Sequence, residues 1–253
     1  MPASNYSRLI DALSEAVRRG GEAMPVRQSY NVGTAASPGR LLTMPAWERG
    51  KALGVKLVTV FPKSGECGLP AFSSCCSTAT GRPRAMIDGE THTNRPTAAA
   101  SALASRHLSR PDSRMLLLIV TGRLASYLAV AHRAVRPIEA VLVWGRNAQR
   151  VQALADTLEH QGLKVKPAAD LTDALSVADI VSCATTSREP LIVGQHLRPG
   201  THLDLVDAFT PEMRETDDDA VCRSRVFVDT MRVPSKKPVI CSSRLRLAGG
   251  TPH

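Results

Sequence analysis

The stretch Arg114-Met-Leu-Leu-Leu-Ile-Val120-Thr-Gly122-Arg-Leu-Ala-Ser126 decides how the chain is read. An unbroken apolar run over 115–120 stops at Thr121-Gly122, and helical spacing then sets in with Leu124, Leu128 and Ala131. A short continuous apolar run is what a strand buried on both faces requires, and apolar residues three and four apart mark a helix packed by one side. Strand, glycine turn and helix in that order open a βαβ unit of the dinucleotide-binding type. There the turn backbone approaches a pyrophosphate while helix N–H groups face the anion. The fingerprint is partial. A G-x-G-x-x-G/A pattern has a glycine where Val120 stands, and only Gly122 and Ala125 match it. A purely structural strand–turn–helix reads the same way, so the residues downstream decide.

A second apolar run, Ala140-Val-Leu-Val-Trp144, ends in Gly145-Arg146-Asn147, which puts Arg146 at 146 − 122 = 24 residues beyond Gly122. At that offset the end of the second strand meets the adenosine ribose. A carboxylate there bonds a free 2′-hydroxyl, whereas an arginine suits a 2′-phosphate. The sequence offers Arg146 and no acid, which favours NADPH and leaves NAD as the alternative. An arginine capping a solvated loop is the other reading of the same residue. Further on, a helix fits 148–161, a strand 163–167, a short helix 171–177, and strands 178–184 and 201–206. Such alternation specifies a parallel sheet wrapped by helices. The α/β, Rossmann-type reading rests on this series and not on the glycines.

At 253 residues and 43% hydrophobic content the chain has material for a core and for two modest domains. No segment approaches the ~18 apolar residues of a membrane span, and 1–30 lacks a signal-peptide apolar region. The six cysteines show neither C-x-x-C spacing nor the density of a disulfide framework. They read as reduced thiols of a cytoplasmic protein, and Cys75-Cys76 lacks the nearby His or Cys pair of a metal site. The net charge is +9, of which +5 falls in 231–253 through Arg232, Lys236, Lys237, Arg244 and Arg246. Basic runs without interleaved aromatics are usually solvated, so neither nucleic acid nor a membrane is an expected partner.

Before the decisive stretch, 7–19 carries Leu9, Ile10, Leu13, Ala16 and Val17 at helical spacing and stops at Gly20-Gly21. Leu41-Leu-Thr-Met44 and 53–60 read as strands joined through Pro45-Ala-Trp47. Lys56 falls mid-strand among apolar residues, which is costly unless it faces a site or points outward from a half-exposed sheet. The segment 62–84 reads as loop-rich, with a turn at Thr80-Gly-Arg-Pro83, and 85–88 as a strand. A small-residue helix starts at Thr97 and runs over 98–108. The expected domains are an α+β unit over 1–110, a Rossmann domain over 111–230 and a basic tail over 231–253. That tail carries Pro234, Pro238 and Pro252 and has no sustained apolar period, so it is expected to be disordered.

Several of these residues carry a resemblance. Met24-Pro-Val-Arg27, Leu53-Gly-Val-Lys56 running to Phe61-Pro62, Gly68-Leu-Pro70, Asp88-Gly89 and Thr97-Ala-Ala-Ala-Ser-Ala102 occur in one collinear order. Val135-Arg-Pro-Ile138, Ala178-Asp-Ile-Val181, Gly200-Thr-His-Leu-Asp204, Pro211-Glu-Met-Arg-Glu215 and Val226-Phe-Val-Asp-Thr230 continue it. Together they resemble the ornithine cyclodeaminase/mu-crystallin family across roughly 5–230. The resemblance implies a Rossmann domain plus a dimerising α+β domain, and hence a homodimer. The activities it implies are reduction of cyclic ketimines such as pyrroline-2-carboxylate or its six-ring homologue, cyclising deamination of ornithine with NAD, and alanine oxidation. Some members are non-catalytic binders.

By the same resemblance Arg27 and Lys56 hold the substrate carboxylate and polarise its reacting centre, and Arg95 stands near the family's second clamping arginine. Arginine gives a carboxylate a bidentate fork, and an ammonium beside a C=N group can supply a proton. Thr97, Gly122, Arg123, Leu124, Ala125, Arg146, Asn147, Thr185 and Val206 match cofactor-contacting positions. The chain also departs from the pattern. Pro96 replaces the arginine directly before Thr-Ala-Ala, Asp207 replaces a glycine, and Phe209 stands where cyclodeaminases carry a basic aspartate. That last departure favours a ketimine reductase over the cyclodeaminase. The missing glycine and Pro96 favour the third reading, a degenerate nucleotide-binding member without turnover. Residues 231–253 do not resemble the family's continuation and read as an altered or truncated terminus.

Overall fold

A computed structural model describes residues 4–20, 25–61, 71–78, 81–87, 89–120, 122–206 and 213–228. The expectations for 231–253, for Gly68-Leu-Pro70, Asp88, Asp207 and Phe209, and for the side chains of Cys75 and Cys76 lie outside the described residues. The chain forms two compact units, one of Asp11–Thr97 and one joining Met1–Ile10 to Ala98–His253. The division falls inside a helix and not at Arg110.

The first unit is built on an antiparallel meander, β1 Gln28–Asn31, β2 Arg40–Glu48, β3 Ala52–Val60, β4 Ala71–Thr78 and β5 Pro83–Met86, paired in that order. Two expectations are corrected here. Pro45-Ala-Trp47 is not a connection but part of β2, paired with Leu53, Gly54 and Val55. Because β1 pairs with β2 only as far as Thr43, Pro45 lies where β2 has a single neighbour and a missing N–H is tolerated. The turn comes later, at 49–51, with Gly50 in the left-handed region at φ 72°. The supposedly loop-rich segment also contains β4. Its Phe72-Ser-Ser-Cys-Cys-Ser sequence has little strand propensity of its own, but it is flanked by β3 and β5, and pairing overrides propensity.

The helices of the first part also differ from the reading. Helix α1 spans Ser4–Arg19, with Tyr6 and Ile10 buried, and α2 spans Gly89–Leu108, beginning eight residues before Thr97. Polar residues over 90–95 and Pro96 hid that first part of α2, since an interior proline removes one helical hydrogen bond. The hydroxyls of Thr93 and Thr97 donate back to the carbonyls of Gly89 and Thr93, at 2.6 and 2.7 Å, and support the ladder around it.

The second unit holds a five-stranded sheet in which every paired neighbour is parallel: β6 Met115–Ile119, β7 Ala140–Trp144, β8 Val165–Pro167, β9 Ile180–Cys183 and β10 His202–Leu205. The order β10-β9-β6-β7-β8 puts β6 at the centre and reverses the chain's direction of travel between β6 and β9. In open α/β sheets that switch point is where ligands bind, outside the carboxyl ends of the strands. Leu116, Leu117, Leu118 and Ile119 are at most 1% exposed, as a central strand covered on both faces demands. Helices α3 Leu124–Arg133, α4 Ala148–His160 and α5 Leu171–Val177 alternate with the strands as read. Leu117, Ile119, Val181 and Cys183 pack with Ala174, Leu175 and Ile192 in one core layer.

Two motifs of the resemblance are fasteners of this unit. Asp179 accepts the backbone N–H groups of Arg114 and Met115, at 2.8 and 2.9 Å, and the guanidinium groups of Arg110 and Arg198, at 2.5 and 3.2 Å. It thereby ties the entry of β9 to the entry of β6. Arg136 donates to the carbonyls of Ser105, Arg106 and Ser109 at 2.7–2.9 Å, satisfying the last carbonyls of α2 with a cation suited to the helix C-terminus. A short helix, α6 Asp218–Arg223, was not read from the sequence. Of the motif at 226–230, residues 226–228 are among those described. Val226, Phe227 and Val228 are about half exposed and pair with no strand among the described residues.

Candidate active site

In the first unit Lys56 lies on β3 with Arg27 as its charged neighbour, and Arg95 and Thr97 lie on α2. Lys56 pairs with Met44 on β2, while on the β4 side the register slips from Val55↔Cys75 to Leu57↔Phe72, leaving Lys56 at the irregularity. Such slips re-aim side chains and recur beside active sites. Lys56 shares a face with buried Val58, whereas Leu53 and Leu57 on the other face are exposed. Lys56 thus stands on the less exposed face of the strand. Burial, and secondarily the positive charge of Arg27, holds the Lys56 ammonium below the usual lysine range, so Arg27 and Lys56 are electrostatic neighbours. Arg27 itself is exposed. Arg95 is half-buried on α2, and the Thr97 hydroxyl proton is committed to the Thr93 carbonyl.

In the second unit the candidates line the carboxyl ends of adjacent strands. Beyond β6, Gly122 is exposed, and a Cβ built on it would meet nothing within 4 Å. Its φ is not positive. The glycine thus leaves room in front of the turn and is not demanded by backbone conformation. Arg123 is the N-cap of α3, with no side-chain cap and no acid in the first turn, Leu124 is half-buried, and Ala125 is buried. An uncapped helix N-terminus free of carboxylates, behind an open glycine, suits a pyrophosphate, so the residues present fit a dinucleotide.

Arg146, past the end of β7, donates from Nη2 to the Ser187 hydroxyl at 2.8 Å. Together with 186–191 it lines a pocket of about 500 Å³. Asn147 opens α4. Its side-chain oxygen accepts the Arg150 N–H at 2.9 Å and caps α4. Val206, past β10, extends the ladder by donating to the Cys183 carbonyl at 2.9 Å.

Thr185 follows β9 and is held by a residue to which the sequence reading gave no role. Glu215, 0% exposed, accepts both the Thr185 N–H at 2.6 Å and the Thr185 hydroxyl at 3.1 Å. Its own carbonyl accepts from Leu191 and Ile192, and Arg214 donates to the Ser187 carbonyl at 2.7 Å. The segment 213–216 is thus laced to the loop after β9. Glu215 is the last residue of the 211–215 motif, and its partner Thr185 lies 30 residues away. The interior of the sheet holds a second polar cluster that went unread. Ser182 donates to Asp204 at 2.7 Å, and Nε2 of the fully buried His132 lies 3.5 Å from the same oxygen. Burial would raise the Asp204 pKa, but His132, Ser182 and His202 outweigh it and hold the carboxylate below its usual range. Neighbouring His202 is pushed down to about 4, chiefly by burial.

Among the described residues no group of His, Cys, Asp and Glu is arranged to hold a metal ion, and no helix is long and apolar enough to cross a membrane.

Residues 2–237 match the model of the ornithine cyclodeaminase/mu-crystallin family. The chain is 42% identical over 216 residues to Protein SAR DEFICIENT 4 of Arabidopsis thaliana, covering 81% of this chain and 66% of that protein. It is 39% identical over 220 residues to a Delta(1)-pyrroline-2-carboxylate reductase of Paracoccus denitrificans, covering 85% of this chain and 69% of the relative. Among solved structures it is similar to Thermococcus litoralis Delta(1)-pyrroline-2-carboxylate reductase in complex with NADH and L-proline. That similarity has a TM-score of 0.77 and 31% identity, and covers 85% of this chain and 69% of the other. The match to the Arabidopsis protein thus spans just under two thirds of that relative's length.

Proposed function

The chain belongs to the ornithine cyclodeaminase/mu-crystallin family, and from that premise we propose that it reduces a small cyclic ketimine to the cyclic imino acid. The substrate would be Δ1-pyrroline-2-carboxylate or its six-membered homologue, and the product proline or pipecolate. One observation carries the reading: Lys56 is a half-buried cation on the inner face of β3, at a break in strand register and beside the charge of Arg27. A ketimine acid needs a carboxylate anchor and a proton for its ring nitrogen, and these two residues supply both. Arg27 grips the carboxylate through its planar fork, with Arg95 as a second cation for it. Lys56, whose lowered pKa makes it the readier acid, gives a proton to the nitrogen as the C=N carbon is reduced. The bound nicotinamide supplies the two electrons.

The cofactor is held by the second unit. Gly122, Arg123, Leu124 and Ala125 receive the pyrophosphate at the start of α3. Arg146, at the end of β7, receives a 2′-phosphate and so favours NADPH, although the similar Thermococcus litoralis reductase was solved with NADH. The chain works as a homodimer in the cytoplasm, and the exposed Leu53 and Leu57 of β3 offer apolar surface to a second copy. The test is consumption of NADPH by the purified protein in the presence of Δ1-pyrroline-2-carboxylate, with proline as product. Proline made from ornithine without net cofactor consumption would assign the cyclodeaminase instead.

A further inference from the structure

Thr185 stands where the chain leaves β9, across the switch point from the turn that leaves β6. Ile119 of β6 pairs with Cys183 of β9, so Gly122 and Thr185 lie just past the same level of adjacent strands. The half-sheet β6–β7–β8 takes the adenosine half of a dinucleotide, and the half that begins with β9 takes the nicotinamide nucleoside.

Besides its backbone carbonyl, a threonine offers a ligand two donors, its N–H and its hydroxyl, and one further acceptor, the hydroxyl oxygen. Here both donors are spent internally on the Glu215 carboxylate, at 2.6 and 3.1 Å. What remains is the acceptor capacity of Oγ1, engaged only by a long contact from the Ser187 N–H at 3.4 Å and by the Cys183 sulfur at 4.0 Å. A phosphate has only acceptors and finds nothing there. A ribose hydroxyl or a carboxamide N–H finds an oxygen whose lone pairs are sharpened by the charged acceptor behind it.

We infer that Glu215 is a positioning residue which, by taking both Thr185 protons, turns Thr185 into a pure acceptor for a hydrogen-bond donor on the nicotinamide nucleoside. The inference rests on the cofactor reading above and adds to it which half of the cofactor, and which chemical group, the loop after β9 recognises. Cofactor phosphates then depend on the α3 N-terminus and Arg146, and not on Thr185.

The test measures dissociation constants for NADH and for ADP, which lacks the nicotinamide nucleoside, on the full chain and on Thr185→Val, Thr185→Ser and Glu215→Gln. Thr185→Val removes the acceptor in a similar volume and should weaken NADH about tenfold while ADP affinity stays unchanged. Thr185→Ser should restore the affinity lost in Thr185→Val. Glu215→Gln keeps an acceptor but removes its charge, and should weaken NADH by about threefold, again sparing ADP. If that variant fails to fold, the threonine pair carries the test alone. Unchanged NADH affinity in Thr185→Val would overturn the inference and leave the family reading standing. A parallel loss of ADP affinity would also overturn it, since a merely structural role moves both ligands. An unaltered chain that binds none of NADPH, NADH and ADP would overturn the cofactor reading, and this inference with it.

Discussion

Lys56 sits on the inner face of a strand, and its lowered pKa has two physical sources, burial first and the Arg27 charge second. If it delivers the proton, Lys56→Met should lower kcat by about a hundredfold or more, the usual contribution of general acid catalysis, while cofactor affinity persists. Retained turnover in the methionine variant would return Lys56 to a structural role. Arg146 poses a question of preference. Its contact with a 2′-phosphate would be charge-assisted and contribute about 1.5–3 kcal/mol. Arg146→Asp should therefore narrow or invert the preference for NADPH, and equal affinities for NADPH and NADH in the unaltered protein would contradict the assignment. His202 gives a pH prediction. An imidazole held at about 4 binds its proton less readily folded than unfolded, so it takes stability away as pH falls. The loss begins below the ordinary value near 6.5, is complete near pH 4, and amounts to about 3 kcal/mol at most. Urea midpoints over that range should fall less steeply in His202→Gln than in the parent. Parallel slopes would show that other groups dominate.

At the scale of elements, the parallel sheet was legible because its signal is local. Buried strands appear as unbroken apolar runs, and helices α3, α4 and α5 appeared at their observed places. The antiparallel sheet was only partly legible. Strand β4 owes its existence to neighbours on both sides, and the first two turns of α2 are polar and end at a proline. Neither leaves a periodic signature. The register slip beside Lys56 and the Glu215–Thr185 contact arise from pairings between distant segments, so the residues could be named but their arrangement could not. Asp179 shows the same limit. It is part of a motif, and its four donors are the N–H groups of Arg114 and Met115, where β6 begins, and the guanidinium groups of Arg110 and Arg198. Burial would raise its pKa, but the two backbone N–H groups and then Arg110 and Arg198 outweigh that and keep it lowered. Asp179→Ala should cost about 2–3 kcal/mol by leaving those donors unpaired. Because the folded carboxyl is the stronger acid, this contribution is present above the ordinary carboxylate value near 4 and fades as pH drops below it. A thermal-melting difference that persists undiminished at low pH would contradict that account.

For the molecule as a whole, the division of labour follows its two units. The antiparallel unit carries Arg27, Lys56 and Arg95, and the parallel unit carries Gly122, Arg146 and Thr185. Family membership alone is compatible with a reductase, a cyclodeaminase or a silent binder, so the chemistry has to be read from residues. Pro96, which departs from the family pattern, is accommodated inside a continuous helix. Val120, the other departure, is a buried residue at the end of β6, 6% exposed. The most direct measurement of the central claim is a turnover assay of the purified full chain with Δ1-pyrroline-2-carboxylate and NADPH, in parallel with Lys56→Met. The expected result is substrate-dependent cofactor oxidation with stoichiometric proline in the parent and its loss in the variant. Cofactor binding in both proteins with no oxidation in either would contradict the reductase reading and leave a binding protein in its place.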